Sequence, residues 1–268
     1  MLVCALGDLT VDVVVRLRRP LVRGGDTPAE IHVTAGGQAA NVAAWAAVLG
    51  AKARFLGKTG VDAGGRLARA RLAELGVEVV GPVAGRNGAV CSLVDPDGER
   101  SMASDRGAAA ELRAEELKPE WLAGCDHLFV SGYALLHEPA RGAAARAVEL
   151  ARAAGSAVSV DLSSWADIRD VGPERFRAAV LELAPNAVFA NEDETAIVGG
   201  PEAGLTWILK RGVRGCSFAG DERPALPVAE VVDTTGAGDA LAAGWIVGGP
   251  DLALVAAARC VQQVGAMP

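Results

Sequence analysis

The chain has few of the residues that build disulfide frameworks or zinc sites. Its 268 residues include 5 cysteines, no Cys-x-x-Cys pair and 3 histidines. An odd number of widely separated cysteines indicates no disulfide framework, and no His/Cys spacing suits a zinc site. These absences favour a reducing compartment, and we expect a cytoplasmic protein.

The sequence also lacks an excess of positive charge and a long apolar run free of Gly, Pro or charge. Its 26 Lys and Arg residues face 33 Asp and Glu residues, for a formal net charge of -7. Binding nucleic acid through bulk charge needs a concentrated basic surface and is excluded. No signal peptide or membrane segment is indicated. Hydrophobic residues, in contrast, make up 51% of the sequence, which predicts a large buried core.

Short runs rich in β-branched residues predict strands. In the first half they occupy residues 2–6, 11–17, 31–34, 77–80 and 89–94 and a stretch around Ser101, with a hairpin turn at residues 95–98. From Cys125 onward, strand-like runs alternate with helical stretches, including 139–154 and 173–183, which predicts a parallel sheet covered on both faces. We predict an α/β fold forming a single domain over residues 1–268. Segments within about 11–35 and 77–104 should supply a small β lid.

The most informative segment is Asp233-Thr234-Thr235-Gly236-Ala237-Gly238-Asp239, which should join a strand at 228–232 to a helix at 240–247. Thr and Asp cap helices, glycines allow a ligand to approach the backbone, and the N–H groups of a first helical turn bind anions. The carboxylate Asp239 lies in that same turn. A base beside an anion hole suits phosphoryl transfer to a hydroxyl group. A purely structural Gly-rich turn is the alternative.

A second segment, Gly36-Gly37-Gln38-Ala39-Ala40-Asn41, joins a predicted strand to a predicted helix. Adjacent glycines permit close approach of a small polar ligand, and Asn41 offers both a donor and an acceptor to hydroxyl groups. Asp12, past the first strand, could accept from two hydroxyls. Turn, cap and solvated-helix roles are the alternatives for these residues.

These motifs resemble those of the PfkB (ribokinase-like) carbohydrate kinases. The segment from Gly36-Gly37 through Asn41 to Gly57-Lys58-Thr59-Gly60-Val61-Asp62 is similar to the family's N-terminal signature, and 233–239 is similar to its C-terminal signature. The resemblance covers nearly the whole chain. It implies a ribokinase-like, mostly parallel central sheet with helices on both faces and a small β-sheet lid. It also implies an ATP-dependent phosphotransferase acting on a hydroxymethyl group of a small sugar, sugar acid or nucleoside.

The resemblance assigns roles to individual residues. It implies that Asp239 is the catalytic base, that Gly236, Ala237 and Gly238 form the anion hole, and that Asp12, Gly36, Gly37 and Asn41 hold substrate hydroxyls. Asn191 and Glu194 are similar to the family's Asn-x-x-Glu element, which implies that they contact the phosphates and the hydration shell of Mg²⁺. Nucleotide binding is further expected at Thr234 and Gly238, and Asp233 and Thr235 match half of the family's site for a monovalent cation such as K⁺.

Several positions depart from the family pattern or carry no assignment. Gln38 stands where ribokinases tend to have Lys, which argues against ribose, and Arg106 could favour an acidic sugar unless it is an ordinary surface Arg. Lys210 lies either near the nucleotide or at a helix C-terminus. Asp161, Tyr133 and His137 have no assigned role.

Two functions of other kinds stay open: a catalytically silent nucleotide or sugar sensor of the same fold, and an adenosine-like nucleoside kinase. Relatives often dimerise through the lid, so the resemblance also implies a homodimer.

Overall fold

Two β-sheets and seven helices organise residues 1–202 and 204–268, which are described by a computed structural model. The strands are β1 (Leu2–Leu6), β2 (Thr10–Leu17), β3 (Ala29–Gly36), β4 (Lys52–Leu56), β5 (Val77–Val80), β6 (Asn87–Val94), β7 (Arg100–Gly107), β8 (His127–Ser131), β9 (Ala157–Asp161), β10 (Ala187–Asn191), β11 (Thr206–Lys210), β12 (Cys216–Phe218) and β13 (Asp221–Arg223). The helices are α1 (Gln38–Val48), α2 (Ala63–Glu74), α3 (Ala140–Ala153), α4 (Trp165–Val171), α5 (Pro173–Glu182), α6 (Glu192–Val198) and α7 (Ala237–Cys260).

The large sheet has the strand order β13-β12-β11-β10-β9-β8-β1-β4-β5. Its strands run parallel from β11 to β5, while β12 and β13 add an antiparallel edge. Successive side chains of a strand point to opposite faces. In β1, Val3 and Ala5 pack in the core beneath α1, α2 and α7, while Cys4 and Leu6 pack beneath α3, α5 and α6. The predicted α/β class, with helices on both faces of a mostly parallel sheet, is confirmed.

The small sheet, called the lid here, has the order β3-β2-β6-β7. The predicted hairpin joins β6 to β7, with the Gly98 N–H donating to the Asp95 carbonyl at 2.9 Å. The prediction was wrong for residues 77–80, which form β5 and pair with β4 at the edge of the large sheet. Helix α2 returns the chain to that edge before β5 begins, so the second group of lid strands starts only at Asn87.

The predicted strand at 228–232 does not form. The N–H groups of Val232 and Asp233 donate instead to the Val261 carbonyl beyond α7, at 2.8 and 3.3 Å. Helix α7 begins at Ala237, earlier than predicted, because Gly236 in a left-handed conformation (φ 78°) serves as its N-cap. It extends past residue 247 to Cys260, with an interruption at Gly248 and Gly249.

Helix α7 is long and apolar enough, by length and composition alone, to cross a membrane. Half of its most apolar window (50%) is nevertheless buried inside the fold. Ala240, Ala243 and Ala253 are fully buried in the same core cluster as α1. The helix is therefore packed as a core helix of the sheet.

The carboxyl ends of the parallel strands gather polar side chains at one edge of the large sheet. Ser131 of β8 is in register with Asp161 of β9, and Asn191 of β10 is in register with Lys210 of β11. Asp8 follows β1 at the same edge. In open α/β sheets this edge is where ligands bind.

Candidate active site

Asp239 and Asn41 meet where the first turns of α7 and α1 converge. The Asn41 side-chain nitrogen donates to Asp239 Oδ2 at 2.7 Å. Burial raises the pKa of Asp239 to about 7, and the Asp161 charge adds to that rise while the Asn41 hydrogen bond opposes it. Asn41 is 5% exposed, and within residues 1–202 and 204–268 its Oδ1 has no hydrogen-bond partner. The pair therefore combines the Asp239 carboxylate, whose pKa suits proton exchange near neutral pH, with the unpaired acceptor Asn41 Oδ1.

The start of α7, which is the predicted anion-binding turn, leaves backbone N–H groups unpaired within the helix. Its first helical hydrogen bond runs from the Ala240 N–H to the Gly236 carbonyl at 2.9 Å, so the N–H groups of Gly238 and Asp239 precede it and have no helical acceptor. A Cβ on Gly236 would lie 2.5 Å from the Ala266 Cβ, so only glycine fits there. The predicted anion hole thus adjoins the predicted base.

The lid and α1 bring Asp12, Gly36 and Gly37 to the same region. Asp12 Oδ1 accepts from the Thr10 hydroxyl at 2.7 Å, and burial raises the pKa of Asp12. A Cβ on Gly36 would lie 2.0 Å from Asp12 Oδ2, so glycine is required for the carboxylate to lie against the backbone. Gly37 (φ 100°) packs on the Asp8 carbonyl, where a Cβ would come within 2.3 Å.

Arg106 of β7 forms a two-pronged ion pair with Asp8. Its Nε lies 2.7 Å from Asp8 Oδ2 and its Nη2 lies 2.6 Å from Asp8 Oδ1. The side chains are 18% and 7% exposed, so Arg106 is not an ordinary surface residue. Its guanidinium is already engaged by a carboxylate of the protein, which no local pattern in the sequence signals.

A second buried ion pair joins Lys210 and Asp161, to which the sequence analysis assigned no definite role. Lys210 Nζ lies 2.8 and 2.7 Å from the two carboxylate oxygens of Asp161, which is fully buried. Burial disfavours the ammonium charge, but Asp161 and Glu194 outweigh it and raise the pKa of Lys210 above its ordinary range. A Cβ on Gly238 would lie 3.3 Å from Lys210 Nζ, so the ammonium borders the anion-binding turn. The position of Lys210 at the carboxyl end of a strand is the signal that could have identified it.

Asn191 and Glu194 form a reciprocal cap at the start of α6. The Asn191 N–H and Nδ2 donate to the two Glu194 oxygens at 2.8 and 2.9 Å, and Asn191 Oδ1 accepts from the Glu194 N–H at 2.8 Å. Glu194 is 1% exposed, and burial raises its pKa to about 7. Over the described parts of the chain, no group of three or more His, Cys, Asp or Glu side chains could enclose a metal ion. A carboxylate beside an amide is a donor set that suits a hydrated Mg²⁺ held through water and phosphate oxygens.

Asp233 and Thr235 contact each other, as expected for a cation site, but a lid residue joins them. Asp233 Oδ1 accepts from the Thr235 N–H and hydroxyl at 2.9 and 2.6 Å, and Oδ2 accepts from the Gly265 N–H at 3.1 Å. Arg100 of β7 bonds the Thr235 hydroxyl and lies 3.9 Å from Asp233 Oδ1. A guanidinium already faces the carboxylate, so these residues do not fit a monovalent cation as the resemblance implies.

The remaining residues named from the sequence lie around this centre. Thr234 is exposed and lines a cleft of about 510 Å³ between the lid hairpin and residues 231–235. Gln38 Oε1 accepts from the hydroxyls of Ser131 and Ser163 at 2.5 and 2.9 Å, and the Tyr133 N–H donates to Ser163 at 3.1 Å. His137 is exposed.

Comparison with known proteins relates the whole chain to one family. The model of the pfkB family of carbohydrate kinases matches residues 1–267. Fructokinase-1 of Oryza sativa subsp. japonica is 32% identical over 270 residues, covering 89% of this chain and 80% of that protein. The ATP-dependent ribose-1-phosphate kinase of Halopiger xanaduensis is 32% identical over 253 residues, covering 91% and 83%. The solved adenosine kinase of Sinorhizobium meliloti superposes with a TM-score of 0.86 at 25% identity, covering 99% and 95%. These matches confirm the resemblance in the signatures, and the chain belongs to the pfkB family of carbohydrate kinases.

Proposed function

We propose that this carbohydrate kinase transfers the terminal phosphoryl group of ATP to a hydroxymethyl group of a small sugar, with Asp239 as general base. One observation carries the proposal: a partly buried carboxylate with a pKa of about 7 stands in the same turn as the free N–H groups of an anion-binding site. ATP as donor is supported by the name of the Halopiger relative, an ATP-dependent kinase.

The acceptor hydroxyl would donate its proton to Asp239 as its oxygen bonds the terminal phosphorus of ATP, and the bond from that phosphorus to the bridging oxygen would break to release ADP. Asn41 orients the base through its 2.7 Å hydrogen bond, and its unpartnered Oδ1 can accept from a second hydroxyl of the same substrate. Asp12 supplies a further acceptor. On the phosphate side, the N–H groups of the turn and the ammonium of Lys210 would stabilise charge on the migrating phosphoryl group.

Asn191 and Glu194 would hold Mg²⁺ through its water shell, and the ion would neutralise phosphate charge during transfer. Because Arg100 already faces Asp233, a monovalent cation is not part of the proposal.

Replacing Asp239 with Asn tests the proposal. The Asp239→Asn variant keeps the shape of the pocket but cannot accept a proton, so kcat should fall about 100- to 10 000-fold while the affinity for ATP changes little. Asp251→Asn is the matched control, because Asp251 is 92% exposed and pairs with Arg223 far from the turn. Undiminished turnover in Asp239→Asn would contradict the assignment.

A nucleoside kinase is the second candidate, favoured by the structural likeness to an adenosine kinase at 25% identity. The silent-sensor alternative lacks such support, since the base and the anion-binding turn are intact. Substrate-dependent ADP release across a panel of sugars and nucleosides separates the three functions. Release with adenosine alone would indicate the nucleoside kinase, and release with no compound would indicate the sensor.

A further inference from the structure

The ion pair between Asp8 and Arg106 lies close to the residues that are proposed to bind the acceptor substrate. Asp8 follows β1 at the carboxyl edge of the sheet, and its carbonyl packs on Gly37 at the start of α1, the helix that carries Asn41. Arg106 reaches this point from the lid. The pair therefore borders the pocket in which Asn41 and Asp239 meet.

The geometry of the pair is the one by which Arg recognises a carboxylate in a ligand. Two parallel hydrogen bonds of 2.7 and 2.6 Å join the planar guanidinium to both oxygens of Asp8. A carboxylate or phosphate on the substrate would have to displace an internal carboxylate that is only 7% exposed. The protein thus fills, with its own side chain, the place an acidic substrate would need.

The charges around the pocket act in the same direction. Asp12 and Asp239 add two carboxylates, and the Asp12 charge contributes to the raised pKa of Asp239. Among the described residues, two lysines at this sheet edge are paired with carboxylates: Lys58 Nζ lies 2.8 Å from Glu116, and Lys210 pairs with Asp161. An anionic acceptor would meet acidic side chains and no unpaired cation from these residues.

We infer that the Asp8–Arg106 pair is a specificity determinant that restricts the acceptor to uncharged polyhydroxyl compounds and rejects sugar acids and sugar phosphates. The inference rests on the proposed kinase function and narrows its substrate class. It reverses the expectation from the sequence that Arg106 favours an acidic sugar, because that expectation took the guanidinium to be free. The names of the relatives leave the question open, since they include a fructokinase and a ribose-1-phosphate kinase.

The test compares kcat/KM for neutral acceptors (fructose, ribose, adenosine) with that for anionic ones (2-keto-3-deoxygluconate, gluconate, ribose 1-phosphate), measured as ADP release. The wild-type protein should use a neutral compound best. Asp8→Asn is nearly isosteric and leaves the Arg106 charge without a carboxylate partner. It should therefore raise the anionic-to-neutral ratio about 10- to 100-fold, the effect of one charge-assisted hydrogen bond.

Two further variants show whether Arg106 is responsible. Asp105→Asn removes a carboxylate from Arg86 in an exposed pair of the same lid strand, and it should leave the ratio unchanged. In the double variant Asp8→Asn with Arg106→Met, the gain in the anionic-to-neutral ratio should disappear. This double variant also removes the unpaired buried charge that could destabilise Asp8→Asn.

Each outcome has a separate meaning. An anionic compound as the best wild-type acceptor, or an unchanged ratio in a folded Asp8→Asn protein, overturns the inference and leaves the kinase function standing. ADP release with none of the compounds contradicts the proposed function itself, and the inference falls with it.

Discussion

Asp239 is held where a carboxylate loses much of its hydration, and its titration should therefore govern the pH dependence of catalysis. Only the ionised form can accept the proton of the acceptor hydroxyl. Because the pKa lies at about 7, kcat/KM should fall as the pH drops through 7, by about tenfold per pH unit well below it. A pH–rate profile from 5.5 to 9 checks this prediction, and a flat profile down to 5.5 would contradict it.

The same burial predicts that the ionised Asp239 side chain lowers the free energy of unfolding. An ordinary Asp has a pKa of 3.8, whereas that of Asp239 is raised to about 7 in the folded state, so its ionised form is disfavoured there. The cost is full above pH 7, shrinks as the pH falls and vanishes below 3.8. Asp239→Asn should therefore stabilise the fold by about 2–3 kcal/mol more at pH 8 than at pH 5. Urea unfolding at the two pH values measures the difference, and an equal effect at both would refute it.

Gly36 gives a prediction about the acceptor pocket. In Gly36→Ala the new Cβ would lie 2.0 Å from Asp12 Oδ2, so the carboxylate must move away from the pocket. The KM for the acceptor should rise about tenfold or more while the affinity for ATP is unchanged. Gly200→Ala is the control, because nothing lies within 4 Å of the added atom. Equal acceptor KM values in the two variants would show that Asp12 does not hold the substrate.

At the scale of elements, the central strands were predictable because parallel strands buried on both faces form continuous apolar runs. The segment 228–232 is equally rich in β-branched residues, yet the Val232 N–H pairs with the Val261 carbonyl beyond α7 and not with a neighbouring strand, so composition alone was misleading. The two signatures located Asp239 and Asn41 because their residues are close together in sequence. The ion pairs of Arg106 with Asp8 and of Lys210 with Asp161 join residues that lie 98 and 49 positions apart in the sequence. No local sequence pattern indicates such partners.

Strand β7 makes a testable contact with the loop before α7. Arg100 places a guanidinium beside Asp233, where the family resemblance implies a monovalent cation. We expect turnover of the wild-type protein to be the same in KCl and in tetramethylammonium chloride, and we expect Arg100→Met to gain a several-fold activation by K⁺. Arg86→Met, which changes another lid arginine, should gain none. Strong K⁺ activation of the wild-type protein would contradict this account.

At the scale of the whole molecule, one face of the lid is open and apolar. Ile31 and Val33 of β3 are 60% and 55% exposed, and they lie in register with Val15 and Val13 of β2 on the same face. Such a face is typical of a surface that pairs with another copy of the chain. The homodimer implied by the family resemblance therefore stays a prediction with a defined surface.

Sedimentation velocity tests the homodimer. We expect a dimer in the wild-type protein and dissociation, by at least about tenfold in Kd, when Val33→Asp introduces a charge into that face. Val213→Asp is the control, since Val213 is 92% exposed outside the lid. A wild-type protein that sediments only as a monomer would exclude the dimer.

Two arginines of β7 contact the rest of the protein from the same face of the strand. Arg100 and Arg106 lie about 20 Å apart along one strand, at positions of equal parity, so both project from the same face. Arg100 contacts Asp233 in the loop before α7, and Arg106 forms an ion pair with Asp8, which follows β1. Strand β7 therefore forms an ion pair with the rest of the protein near each of its ends. The lid is thus joined to the rest of the fold at both ends of β7, once through the loop before α7 and once through the residue that follows β1 by two positions.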